Sequence, residues 1–116
     1  MKICTNIEQS KKLAEFLPKE NADMYWSMDE IPFLAFPVND IVTDWEYAEE
    51  NGMLPAWSLA ALLEVLPYPT LYQQGDGAWG LDAWVEQVKP YSVKNAICEV
   101  DACVEMILKL HELNIL

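Results

Sequence analysis

The chain has 116 residues, with nineteen acids against seven lysines and no arginine, a formal net charge of −12 and 53% hydrophobic residues. That length suits one domain, and a chain this apolar is not a disordered one. Phosphate backbones and anionic membrane surfaces are gripped by clusters of Lys and Arg, so the inventory argues against direct nucleic-acid binding and against membrane association.

In chain order, Thr5-Asn6-Ile7-Glu8 fits a capping box with Thr5 as N-cap and Glu8 at N3, opening a helix that Pro18 stops near Leu17. Lys19-Glu20-Asn21 reads as a turn, and Asp23–Ser27 as a short aromatic-rich strand. Ile31–Pro37 is apolar but holds two prolines, which restrict it to an extended or edge segment. Thr43-Asp44-Trp45-Glu46 repeats the capping pattern, and Gly52 stands where a C-cap glycine belongs, so a helix is predicted from Asp44 to Asn51.

Leu54–Pro67 is the most apolar stretch, with Leu59, Leu62, Leu63 and Leu66 on one helix face. Ser58 is the better N-cap, which makes the helix Ser58–Leu66 and places Trp57 and Leu62 at the positions of a hydrophobic staple; Pro55 at N1 of a longer helix is the alternative. Tyr68–Gln74 and Ala78–Val85 form an antiparallel hairpin about Gly75-Asp76-Gly77, with Trp79, Leu81 and Ala83 on one face and Gly80 marking a bulge. Glu86–Asn95 reads as a connection containing Pro90. Glu99–Leu113 is an amphipathic helix. Asp101, Glu105, Lys109 and Glu112 form its polar stripe, Val100, Cys103, Val104, Met106, Ile107 and Leu110 its apolar side, and Glu105 with Lys109 an i, i+4 pair.

The expected architecture is a single α+β domain over residues 1–116, with a small antiparallel sheet, made of the hairpin plus one or two short strands, packed against three to four helices. The hairpin and Tyr25-Trp26 are expected in one sheet.

Searching for chemistry returns little. Cys4, Cys98 and Cys103 are an odd number without metal or disulfide spacing, and with one histidine they make neither a zinc site nor a disulfide framework. His111 lies roughly 12 Å and 20 Å along one helix from Cys103 and Cys98, too far for a nucleophile–base pair. No calcium loop, phosphate loop or dinucleotide fingerprint occurs. We therefore assign no catalytic, cofactor-binding or metal-binding residue, and no cofactor. Trp79, Trp84 and Tyr91 are weighed as a sugar-stacking platform, with packing into the sheet and core the better account.

Pro55–Leu63, Leu66-Pro67 and Asp101–Glu112, with Ala22–Tyr25, resemble a group of small uncharacterised proteins encoded in prophages and mobile elements of Bacteroides-type gut bacteria. The resemblance implies a bacterial cytoplasmic setting and transfers no activity. The start of the chain is polar, without the apolar run of a signal peptide, and the cysteines read as reduced thiols, so a cytoplasmic location is expected.

The leading functional reading is a non-enzymatic protein-interaction module with a protein partner or as a homo-oligomer, because five tryptophans must be buried or meet a partner. One alternative is an acidic nucleic-acid mimic that inhibits a basic partner, motivated by thirteen acids and no base from Glu20 to Glu86. The other is a small hydrolase built on a carboxylate pair.

Overall fold

Helices and strands alternate irregularly along the chain in the computed structural model, which describes all residues except 1, 29–31, 36–40 and 86–88, and the backbone alone at 33, 35 and 41–45. The described residues form an α+β structure of four α-helices and two three-stranded antiparallel sheets. The chain divides into two compact units, Ile3–Ala61 and Met1–Lys2 with Leu62–Leu116. The hairpin strands and Tyr25-Trp26, expected in one sheet, stand in different sheets. Among the described residues no helix is long and apolar enough to cross a membrane.

The unit Ile3–Ala61 opens with helix α1 (Ile7–Ala14). Its N-cap is Asn6 rather than Thr5: the Asn6 side chain accepts from the Gln9 N–H at 2.8 Å, and Gln9 returns the bond to the Asn6 N–H at 3.1 Å. Thr5 is displaced from capping because its hydroxyl is committed to the interior. It lies 2.7 Å from the Ser10 hydroxyl and accepts from the Trp57 N–H at 3.1 Å, with Thr5, Ser10 and Trp57 all fully buried. The helix ends sooner than expected, at Ala14, though the Leu13 carbonyl still accepts from the Leu17 N–H.

A 3-10 turn at Lys19–Asn21 leads into strand β1 (Met24–Ser27), which pairs with β2 (Phe33–Ala35) on one side and β3 (Leu54–Ala56) on the other. Both flanking strands are edges, which suits Pro55 in β3 because a proline offers no ladder N–H. The β2 strand confirms the extended reading at 33–35; the rest of Ile31–Pro37, apart from Pro32, lies outside the described residues.

Helix α2 (Ile41–Glu50) begins earlier than the Thr43 cap would place it, so Thr43 stands inside the first turn. Its end is as read. Gly52 adopts φ +65, and the Met53 and Gly52 N–H groups donate back to the Ala48 and Glu49 carbonyls, a Schellman closure. Ser58 caps helix α3 (Leu59–Val65), accepting from the Ala61 N–H at 3.2 Å.

The unit containing Leu62–Leu116 carries the hairpin β4 (Pro69–Gln73) and β5 (Trp79–Ala83), closed by a loop in which Gly77 takes φ +88. Residues Tyr91–Ala96, of which Tyr91–Asn95 belong to the stretch read as a connection, form a third strand, β6. Its alternation is broken by the bulge at Gly80, where Lys94 and Asn95 together stand opposite one residue. Asn95 takes φ +66 there, and Gln74 clamps it: the Asn95 N–H donates to Gln74 Oε1 at 2.6 Å and Gln74 Nε2 donates to Asn95 Oδ1 at 3.0 Å. The Tyr72 ring lies across Gly80, so any Cβ at that position would force the ring to move.

Helix α4 (Glu99–Glu112) packs on β5 and β6 through Val100, Cys103, Val104, Met106, Ile107 and Leu110, as its stripe predicts. It closes with a second Schellman turn on Asn114 at φ +60. Asp101, expected in water, pairs with Lys2 at 2.7 Å, and Lys109 donates to the Ser92 carbonyl at 3.1 Å instead of pairing with Glu105.

Candidate interaction surface

Three segments meet at one end of the β4–β5–β6 sheet, because the register sets Pro69 beside Ala83 and Ala83 beside Tyr91. The Trp84 N–H, one residue past β5, donates to the Pro67 carbonyl at 3.1 Å. That bond draws the chain closed around Tyr68, which leaves the ladder and projects into solvent. Tyr68 is 83% exposed and sits at φ +40, in the left-handed region where a Cβ is strained. Its neighbours leave it little choice: Pro67 supplies the carbonyl, Pro69 starts the strand, and the turn between them falls on Tyr68. Trp84 and Val85 are exposed at the same end, at 36% and 39%.

Beside them an open groove of about 520 Å³ is lined by Lys89, Pro90, Tyr91, Ser92 and Lys109. Here α4 lies against β6, and half-buried Tyr91 is part of the lining. Lys109 is held over the groove by the Ser92 carbonyl. The Ser92 hydroxyl donates to Asp82 Oδ1 at 2.7 Å. No carboxylate lines the groove among the described residues.

The aromatic trio weighed from the sequence is not brought together. Trp84 and Tyr91 stand at this end, while Trp79 pairs with Ala96 at the far end of the sheet, about 13 Å along the strand. Trp57 is fully buried, and its Nε1 is a buried side-chain donor without a partner among the described residues.

Cys103 and His111 lie on α4 with Cys98 at its N-cap, and Cys4, Cys98 and Cys103 stand outside any disulfide among the described residues. Burial pushes the Cys103 thiol up to about 12, so it stays protonated and inert. His111 Nδ1 lies 2.9 Å from the Leu116 main-chain oxygen. Ser58 is committed to folding. Its hydroxyl donates to Asp23 Oδ2 while accepting from the Ala61 N–H, and its own N–H donates to Asp23 Oδ1 at 2.9 Å. Among the described residues no three His, Cys, Asp or Glu side chains gather in a way that could hold a metal ion.

Sequence reasoning missed Tyr68 and the groove. Pro67-Tyr68-Pro69 is the signal for the first, since an aromatic between two prolines at a strand start has few conformations open to it. The groove was invisible once β6 was read as a connection. The chain matches no protein-family model, no curated protein and no solved structure.

Proposed function

We propose that this protein is a non-enzymatic interaction module that docks a protein partner, or a second copy of itself, through the Tyr68–Trp84 end of its β4–β5–β6 sheet. The observation that carries the reading is Tyr68. An aromatic ring in water gains no burial energy, and a left-handed φ costs a non-glycine residue about 1–2 kcal/mol. Among the described residues no side-chain bond or burial repays a tyrosine at a position that glycine would fill without strain. A partner pocket does, because Tyr and Trp are the side chains that dominate binding energy at interfaces. The companion Trp84 extends the same apolar end.

The acidic-mimic alternative has less support. Within the base-free span, Asp23 is engaged by Ser58, Glu49 by Lys19, Asp76 by the Ala78 N–H and Asp82 by Ser92. These four of the thirteen acids serve local structure. The hydrolase alternative finds no carboxylate in the groove's described lining. The bacterial, mobile-element setting that we favour rests on the sequence resemblance, and the cytoplasmic location on that resemblance together with the reading of the cysteines as reduced thiols.

Light scattering and affinity capture at micromolar protein test the proposal, comparing the wild type with Tyr68→Ser/Trp84→Ser. A self-associated species or a discrete captured protein that the double variant loses supports it. A strict monomer that retains nothing beyond what the variant retains refutes it.

A further inference from the structure

We infer that the Lys89–Lys109 groove is the part of this docking surface that selects the partner, and that it takes an acidic peptide segment, with carboxylates seated between the two ammonium groups. The inference rests on the interaction reading above. Of the chain's seven lysines, Lys2 and Lys19 are engaged by Asp101 and Glu49. Lys89 and Lys109 have no carboxylate within ion-pair distance among the described residues, although acids outnumber bases nineteen to seven. Lys11, Lys12 and Lys94 are in the same condition, so it is placement that sets these two apart: both line one concavity.

The geometry suits a carboxylate. An ammonium carries three donors. Lys109 places one on the Ser92 carbonyl, which fixes its position and leaves two directed elsewhere. That bond limits the rotamer entropy a long side chain would otherwise lose on capturing an anion. Pro90 and Tyr91 supply an apolar wall, so a charge-assisted bond formed there is better shielded from water than one on a convex surface. Glu105 and Glu112 neighbour Lys109 along α4, but they are exposed and do not line the groove. Exposed Tyr68, Trp84 and Val85 stand at the same end of the sheet as Tyr91 and favour a peptide over a free ion, because they offer apolar contact that an isolated anion cannot use.

The experiment is an amide-shift titration of the full chain with acetylated, amidated hexaglutamate, with hexalysine and inorganic phosphate in parallel arms. Saturable shifts at Tyr91, Ser92 and Lys109 with hexaglutamate, weakened about tenfold in Lys89→Gln and further in Lys89→Gln/Lys109→Gln, are expected; a tenfold loss corresponds to about 1.4 kcal/mol. Thermal melts confirm that the variants fold, and Lys89→Gln removes no bond found among the described residues, so it keeps the test valid if the double variant unfolds. Absence of saturable shifts there overturns the inference, as does equal affinity for phosphate, which would mark a simple anion site, or preference for hexalysine. If a partner is captured and lost in Tyr68→Ser/Trp84→Ser yet is indifferent to the lysine variants, the interaction reading stands and this inference alone falls.

Discussion

Thr5→Val removes one hydroxyl and nearly nothing else, since the two side chains share shape. The hydroxyl serves two buried groups, the Trp57 N–H at 3.1 Å and the Ser10 hydroxyl at 2.7 Å, and Thr5, Ser10 and Trp57 have no measurable exposure. No water can replace either bond without a cavity to hold it. Each buried group left unpaired costs about 1–3 kcal/mol, so the variant should lose about 2–4 kcal/mol. For a chain of this size that corresponds to a fall in Tm on the order of 10 °C. Urea unfolding followed by tryptophan fluorescence measures it, with the slope checked for constancy. Thr5→Ser restores the hydroxyl and should recover most of the loss. Thr5→Val/Ser10→Ala removes the stranded serine as well, so the double variant should be less destabilised than the sum of the singles by roughly 1 kcal/mol. Additive singles, or a Thr5→Val change within about 0.5 kcal/mol of zero, would refute the network as the reason Thr5 does not cap α1.

Tyr68→Gly relieves the left-handed strain at φ +40 and should leave stability unchanged or raise it by up to about 1 kcal/mol by thermal melt, while abolishing partner binding. A variant that unfolds instead would show the ring to be structural. Gln74→Ala frees the Asn95 N–H and side chain at the bulge and should cost about 1–2 kcal/mol, read by urea unfolding, with faster amide exchange at Asn95. The Cys103 thiol is raised by burial from an ordinary 9.0 to about 12, so the folded state holds its proton more tightly than the unfolded state. Its contribution is therefore complete below about 9 and is lost as pH climbs toward 12. The wild type should lose stability more steeply over that window than Cys103→Ala, and a thiol reagent at neutral pH should label half-buried Cys98 well before Cys103.

How much of this was legible depended on whether a signal was local. Helix α4 was readable because its polar and apolar stripes keep one period for fourteen residues. Gly52, Ser58 and the hairpin about Gly75-Asp76-Gly77 were readable because turn and cap chemistry is decided within a few residues. The cap of α1 was misplaced by one residue because the competing claim on Thr5 comes from Ser10 and Trp57, the latter 52 positions away. Strand β6 was missed because its bulge puts Lys94 and Asn95 in succession, destroying the two-residue period, and the partner that rescues it, Gln74, is 21 positions upstream. The division of strands into two sheets is likewise a tertiary choice that no short pattern encodes. The surface was the least legible part. Tyr68 is conspicuous only when its exposure and its φ are known together, and Lys89 and Lys109 become neighbours only once α4 lies on β6.

The docking claim is tested most directly by contact in living cells. A photo-reactive benzoyl-phenylalanine placed at Tyr68, already exposed and free of packing demands, should trap a discrete adduct on irradiation, and the same group at exposed Glu8, on α1 in the other unit, should not. An adduct of one defined mass at Tyr68, diminished by Trp84→Ser, is the outcome the account predicts. No adduct at Tyr68, or the same diffuse labelling at both positions, would contradict it.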